Sequence, residues 1–172
     1  MIHIGIKPSE ILEAKRLLSE RNGRAINLGF RMRFNHQNGW IGIIAEDRFG
    51  RMFPEMRRAS GSYEVDRFDF SGKNGGRIEL KTMSGNYSVR EDYVVSYQAS
   101  QLIESIADLV VFFHFCHPTS VLTMIGWIPR DEILKVGKLW EDGERTPFGF
   151  TAHPACYTLP ISLLSGPETI AH

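Results

Sequence analysis

The sequence predicts an α/β fold, and three stretches of the chain lead to this prediction. Apolar residues recur with helical spacing over residues 40–53. Two strand-like stretches, residues 63–70 and 77–83, flank a glycine-rich turn and are typical of a β-hairpin. Residues 109–115 are almost entirely apolar, as in a central strand that is buried on both faces. Together they indicate a β-sheet that is covered by helices.

Length and composition favour one compact domain over residues 1–172. The chain has 172 residues, of which 42% are hydrophobic, so it can bury a core of its own. It lacks a run of eighteen apolar residues and a secretory leader, which argues against a membrane span or export. With only two cysteines, Cys116 and Cys156, a cytoplasmic location with both side chains as thiols is expected.

The N-terminal extension is predicted to hold one helix and one strand before the core begins near residue 38. Ser9 can cap a helix over residues 10–21, and Asn22-Gly23 is a typical helix end. Residues 26–34 then alternate between apolar and polar, as a strand does.

The remaining elements follow the hairpin in order. A short strand is expected at 93–96, a helix at 98–106, the buried strand at 109–115, and another strand at 121–128. Pro129 then begins a helix in the C-terminal part, 129–172, where residues 141–153 form a loop.

The predicted hairpin carries charged side chains that could take part in a chemical reaction. Side chains alternate faces along a strand, so Glu79 and Lys81 share one face while the apolar residues between and before them take the other. Asp66 and Glu64 share a face of the first strand, and Asp69 is expected to be a solvated carboxylate near the turn. Carboxylates gathered in this way favour a divalent cation such as Mg²⁺.

These residues resemble the signature of the PD-(D/E)XK nuclease superfamily, in which an acidic strand residue is followed by Glu-x-Lys on the next strand. Asp66 precedes Glu79-Leu80-Lys81 by thirteen positions. Glu46, on the preceding helix, and Gln98, at the start of the following helix, match two further family features. The resemblance covers about residues 38–128, although Val65 replaces the proline of the family motif.

The resemblance implies a restriction-endonuclease-like core, a central mixed β-sheet flanked by helices in the order αβββαβ. It implies a Mg²⁺-dependent DNA endonuclease that acts by DNA structure or with low sequence specificity, with Mn²⁺ as a substitute. Asp66, Glu79 and the Leu80 carbonyl would ligate the metal. Glu46 would bind a second ion or a water of the metal. Lys81 would hold the attacking water or the phosphate, and Gln98 would orient water or substrate.

Basic residues concentrate before the hairpin. Residues 1–60 hold eleven Lys and Arg against six Asp and Glu, and the rest of the chain holds nine against fourteen. DNA backbones are bound by such charges, and a homodimer is left open. The candidate DNA-binding side chains are Arg31, Arg33, Arg48, Arg51, Arg57 and Arg58.

Other interpretations remain beside the nuclease. The same fold could serve as a non-catalytic nucleic-acid-binding or structural subunit, and a mixed-charge interaction domain without a site would also account for the alternating charges. A zinc site near His114 and Cys116 is disfavoured, because both residues end a strand that is expected to be buried.

Overall fold

The structure is a computed structural model that describes residues 1–27, 38–59 and 68–170. The described chain contains four helices and nine strands, and two short 3₁₀ turns, Ile161–Leu163 and Pro167–Thr169, follow the last strand. The helices are α1 (Pro8–Asn27), α2 (Gly39–Met52), α3 (Ala99–Glu104) and α4 (Arg130–Val136). The strands are β1 (Ile2–Gly5), β2 (Arg57–Arg58), β3 (Phe70–Ser71), β4 (Arg77–Gly85), β5 (Val94–Gln98), β6 (Leu109–Cys116), β7 (Val121–Pro129), β8 (Lys138–Trp140) and β9 (Cys156–Pro160).

The larger sheet is mixed and contains six strands in the order β1-β7-β6-β4-β3-β2. Strands β2, β3 and β4 are antiparallel neighbours, whereas β4 and β6 run parallel. A parallel pair needs a crossover connection, and the chain between β4 and β6 contains β5 and α3. A second, smaller sheet has the order β5-β9-β8. The chain is therefore a mixed α/β protein, as the sequence predicts.

Strand β6 separates two hydrophobic cores. Val111 and Phe113 point to the first core, where they meet residues of α1 and α2. Val110 and Phe112 point to the second core, which also contains residues of β5, α4 and β9. The strand is thus buried on both faces between β4 and β7, which confirms the interpretation of its apolar run.

The N-terminal part differs from the prediction in two places. Helix α1 continues through Gly23 to Asn27, so Asn22-Gly23 does not end it, and the strand predicted at 26–34 begins inside this helix. A glycine inside a helix costs about 1 kcal/mol, and the packing of α1 along α2 offsets that cost. Residues 28–37 lie outside the described chain. Strand β1, which the sequence does not reveal, pairs with β7 at the sheet edge.

Later elements agree more closely with the sequence. Helix α2, β6 and β7 match their predicted ranges within about two residues. Helix α3 is shorter than expected, and strands β8 and β9 are additional. Among the described residues, helices that are both long and apolar enough to traverse a lipid bilayer are absent.

Candidate active site on one face of strand β4

Strand β4 places Glu79 and Lys81 on the same face. Ile78 and Leu80 alternate with them and pack against the first core, under helix α2. The opposite face, which carries the two charged residues, is turned toward β5 and α3. The predicted division of this strand into an apolar and a charged face is therefore confirmed.

Both oxygens of the Glu79 carboxylate have partners. Oε1 lies 2.5 Å from Nζ of Lys81. Oε2 accepts a hydrogen bond from the Tyr97 hydroxyl and another, at 2.6 Å, from the Ser105 hydroxyl. An ionised carboxylate offers about four lone-pair positions. The three donors therefore orient Glu79 while leaving room for about one further ligand.

The Lys81 ammonium is held from three directions. Besides Glu79, it donates a hydrogen bond of 2.9 Å to Oε1 of Gln101. Its Nζ also lies 4.5 Å from the centre of the Tyr97 ring, which is a cation–π contact. The Lys81 side chain is 21% exposed. It is thus partly open to solvent and fixed beside a carboxylate.

Asp69 lies just before strand β3 and close to Glu79. Phe70 pairs with Ile78 across the β3–β4 ladder, and the Asp69 N–H also donates a 2.8 Å hydrogen bond to the carbonyl of Ile78, the residue before Glu79. Oδ2 of Asp69 accepts a 2.6 Å hydrogen bond from the Leu80 N–H. Burial, opposed by this hydrogen bond and assisted by the charge of Glu79, raises the pKa of Asp69 to about 6. The Asp69 and Glu79 carboxylates therefore lie close together in a partly desolvated region.

This position corrects the expectation for Asp69, which the sequence predicts to be a solvated carboxylate. The prediction assumed regular alternation from a strand that starts at residue 63, whereas strand β3 contains only Phe70 and Ser71. Asp66, the predicted metal ligand, lies outside the described residues, as does Glu64. The pairing of the two strands across the short turn at Gly72–Gly76 was the signal that could have identified Asp69.

Glu46 projects from α2 and is paired with two arginines. Arg21 of α1 contacts its carboxylate at 3.1 Å, and Arg58 of β2 forms a second ion pair with it. The positive charge of Arg58 also acts on Asp69. Burial and the nearby charge of Arg21 lower the pKa of Arg58. Glu46 is therefore connected to the β4 site through Arg58.

The glutamine that reaches the site is Gln101. Gln98, which the sequence predicts in this role, is the last residue of β5, and its side-chain nitrogen donates to the Ser100 hydroxyl at 3.1 Å. Helix α3 begins at Ala99 and brings Gln101 to Lys81 in the first turn. The prediction placed the helix start one residue early and so selected a neighbouring glutamine.

The candidate DNA-binding arginines differ in whether a carboxylate already neutralises them. Arg48 pairs with Glu10, and Arg51 pairs with Asp47 at 3.0 Å. Within the described chain, Arg57 is exposed and has no ion pair. It pairs with Ser71, which in turn pairs with Arg77 of β4, so it lies on the same sheet face as Glu79. Arg31 and Arg33 lie outside the described residues.

A second polar group lies further along the same face of the sheet. His114 of β6 is 2% exposed and is aligned with Met83 of β4. Within the described chain, neither of its ring nitrogens has a hydrogen-bond partner. Its ring stacks on Tyr87 at 5.0 Å, and burial lowers its pKa. A buried strand position was expected for His114, but the hydrogen bond usual for such a histidine is missing.

A cation could be held by Asp69 and Glu79. Groups of three or more His, Cys, Asp or Glu side chains with metal-binding geometry are absent from residues 1–27, 38–59 and 68–170. Two carboxylates nevertheless suffice for Mg²⁺, which keeps several waters. The N–H and C=O of one strand residue point to the same neighbouring strand, and the Leu80 N–H binds Asp69, so the Leu80 carbonyl also points toward β3 and could supply a third oxygen.

Comparison with known proteins does not identify this site. No model of a protein family matches the chain, and no curated protein matches it either. What the site can do follows from the distances, burial and charges of its own residues.

Proposed function

We propose that this protein is a Mg²⁺-dependent nuclease that hydrolyses phosphodiester bonds in DNA. One observation carries the proposal. Asp69 and Lys81 both lie beside Glu79, and burial together with the charge of Glu79 raises the pKa of Asp69 to about 6. Two carboxylates can hold a divalent cation that activates water, and a lysine beside them can stabilise charge on a phosphate. A divalent cation would relieve the repulsion between the carboxylates.

The order of the elements supports a restriction-endonuclease-like core. Helix α2 is followed by the antiparallel strands β2, β3 and β4, then by β5 of the smaller sheet, helix α3 and strand β6, which runs parallel to β4. Apart from the additional strand β5, this order is the αβββαβ order that the motif resemblance implies. In this arrangement the first strand of the acidic pair is β3, and Asp69 takes the role that the sequence gives to Asp66.

The residues present fit Mg²⁺ or Mn²⁺. Asp69 uses one oxygen for the Leu80 N–H, and Glu79 retains about one lone-pair position, so each can offer an oxygen to the same ion. When bound, such an ion lowers the pKa of a water ligand and neutralises charge on the phosphate. The fit is to an ion that also keeps waters and contacts the substrate.

The chain's own residues supply the remaining functions. Hydrolysis joins the oxygen of water to phosphorus and breaks one phosphorus–oxygen ester bond, so one product keeps the phosphate and the other gains a hydroxyl. Lys81 would hold the attacking water or a phosphate oxygen. Gln101 would keep the ammonium in place through its 2.9 Å hydrogen bond. Arg57 would contact a backbone phosphate at the edge of the same face.

A second candidate is a non-catalytic nucleic-acid-binding subunit on the same fold. The observation that favours it is the 2.5 Å contact between Lys81 and Glu79, because the ammonium already neutralises this carboxylate. Glu46 is likewise neutralised by two arginines. In such a protein the charged groups on β4 would stabilise the fold and take no part in chemistry.

Metal-dependent cleavage separates these two candidates. The purified protein is incubated with supercoiled, linear, single-stranded and four-way-junction DNA, and with RNA, in Mg²⁺, Mn²⁺ or chelator. We expect cleavage of DNA that chelator abolishes. Lack of metal-dependent cleavage of every substrate would leave the non-catalytic candidate.

The same assay identifies the acidic ligand on the first strand. Asp69→Asn should abolish cleavage, and Asp92→Asn is the matched control, because Asp92 is exposed and pairs with Arg90. Asp66→Asn is tested in parallel. Loss of cleavage in Asp66→Asn with full cleavage in Asp69→Asn would return the ligand to the residue that the sequence motif selects.

A further inference from the structure

Tyr97 contacts both charged groups of the candidate site. It lies on β5, is 1% exposed, and belongs to the second core. Its hydroxyl donates to Oε2 of Glu79, and the centre of its ring lies 4.5 Å from Nζ of Lys81. One rigid side chain from the smaller sheet therefore supports the carboxylate and the ammonium that β4 contributes.

We propose that Tyr97 is a positioning residue of the nuclease site, whose hydroxyl orients Glu79 for a divalent cation and whose ring holds the Lys81 ammonium. This inference rests on the proposed function, because it assigns a role in metal binding and cleavage. It goes beyond that function because it assigns different roles to the hydroxyl and to the ring of Tyr97.

The hydroxyl acts on the carboxylate. Without it, Glu79 Oε2 would keep only the Ser105 hydroxyl as a described donor, and the carboxylate could rotate about its last bond. Outer groups that orient a metal ligand typically change metal affinity or activity 10–100-fold when they are removed.

The ring acts on the ammonium. A cation over an aromatic face is attracted by the ring quadrupole, and the ring also limits where the flexible lysine can go. Gln101 binds the same ammonium from α3, so Lys81 lies between a strand residue of the smaller sheet and a helix residue. Removing only the hydroxyl should leave this contact in place.

The test separates the two parts by substitution. Tyr97→Phe removes the hydroxyl and keeps the ring, and Tyr97→Leu removes both. Tyr157→Phe is the matched control, because Tyr157 is the direct cross-strand partner of Tyr97 on β9. Mn²⁺ affinity is measured by calorimetry, and kcat is measured over a Mn²⁺ titration. Circular dichroism verifies that each variant is folded.

We expect Tyr97→Phe to weaken Mn²⁺ binding about 10–100-fold while kcat at saturating Mn²⁺ stays near the wild-type value. Tyr97→Leu should lower kcat as well, and Tyr157→Phe should change neither quantity. If Tyr97→Leu fails to fold, Ser105→Ala replaces it, and it should weaken Mn²⁺ binding in the same direction as Tyr97→Phe.

Two results would overturn the inference in distinguishable ways. Wild-type Mn²⁺ affinity in Tyr97→Phe, beside a wild-type protein that binds Mn²⁺ and cleaves DNA, would remove the role of Tyr97 alone. A wild-type protein that neither binds Mn²⁺ nor cleaves DNA would remove the proposed function and this inference together.

Discussion

One face of the larger sheet has two levels, the first around Glu79 and the second around His114, which differ in how their buried polar groups are hydrogen-bonded. Near the start of β4, the Glu79 carboxylate is surrounded by Lys81, Tyr97 and Ser105. Further along the same face, His114 is buried without a described hydrogen-bond partner for either ring nitrogen. At the first level, three donors hold the charged Glu79 carboxylate in place. At the second level, the neutral His114 ring is buried, and its stacking on Tyr87 offsets part of the cost of burying it.

The two levels also respond to pH with opposite signs. Asp69, beside Glu79, has a pKa raised to about 6, so its contribution to stability is complete below the ordinary value of 3.8 and is lost as the pH rises through about 6. His114 has a lowered pKa, so its contribution is complete above its ordinary value of 6.5 and is lost as the pH falls. Asp69 therefore destabilises the fold when it loses its proton, and His114 destabilises it when it gains one.

The largest expected effect is on catalysis at the first level. Lys81→Ala should reduce DNA cleavage by about a hundredfold or more, because a positioned electrostatic or proton-transfer group contributes at least that much. Mn²⁺ binding should persist, since Lys81 is not a ligand. Cleavage rate and calorimetric Mn²⁺ affinity are measured together, with Lys135→Ala as the control at an exposed lysine. Cleavage at the wild-type rate would contradict the mechanism.

The next effect is on stability. Asp69→Asn removes the charge that burial disfavours, so the metal-free protein at pH 8 should gain about 2 kcal/mol in its free energy of unfolding, after allowance for partial exposure. The gain should vanish near pH 4. Urea unfolding at both pH values measures this. Equal gains at pH 4 and pH 8 would show that the charge of Asp69 is not its cause.

The same variant should lose its response to metal. Mn²⁺ raises the stability of a protein that binds it in the folded state only, so the wild-type melting temperature should increase with added Mn²⁺ and that of Asp69→Asn should not. A Mn²⁺-dependent increase in the variant would exclude Asp69 as a ligand.

A smaller effect is expected at the second level. His114→Phe removes two buried nitrogens that lack described partners, so the free energy of unfolding at pH 7 should rise by about 1 kcal/mol. The difference from wild type should grow as the pH falls below about 6.5, because only the histidine can be protonated. Unfolding curves between pH 5 and 8 test this, and a difference that does not change with pH would contradict it.

The smallest effect extends the comparison to the arginines. Arg57 has no described ion pair, whereas Arg51 pairs with Asp47. Arg57→Ala should therefore flatten the dependence of log affinity for DNA on log salt by about one unit, and Arg51→Ala should flatten it less. Fluorescence titrations at several salt concentrations measure both slopes. Equal slopes for the two variants would exclude Arg57 as a phosphate contact.

The sequence was most informative where periodicity is strong. The apolar run of β6 and the alternation of Ile78, Glu79, Leu80 and Lys81 predict burial and face correctly, because both follow from the geometry of a strand. Asp69 and Gln101 were missed for a different reason. Each depends on where a short element begins, and β3 and α3 have only two and six residues. Local patterns do not determine such boundaries, whereas pairing and packing with distant residues do.

Tyr97 could not be found from the sequence, because its role depends on a contact between the two sheets. Val95 and Leu102, on either side of it along the chain, are buried with it in the second core. The direction of its hydroxyl depends on where β5 crosses β4, and sequence spacing between residues 79 and 97 does not specify that crossing. Buried tyrosines do usually find a hydrogen-bond partner, so the sequence could indicate that a partner exists but not which residue it is.

The pairing of β5 with β9 has a consequence for the timing of folding. Strand β5 is stabilised by residues Cys156–Pro160, which leave the ribosome about sixty residues after Tyr97 does. Such distant pairings form late and slowly. A growing chain can assemble β4 and helix α2 well before β9 exists, but it cannot secure Tyr97 against Glu79 and Lys81. If the proposed cleavage activity needs this arrangement, it should begin only after strand β9 has been synthesised.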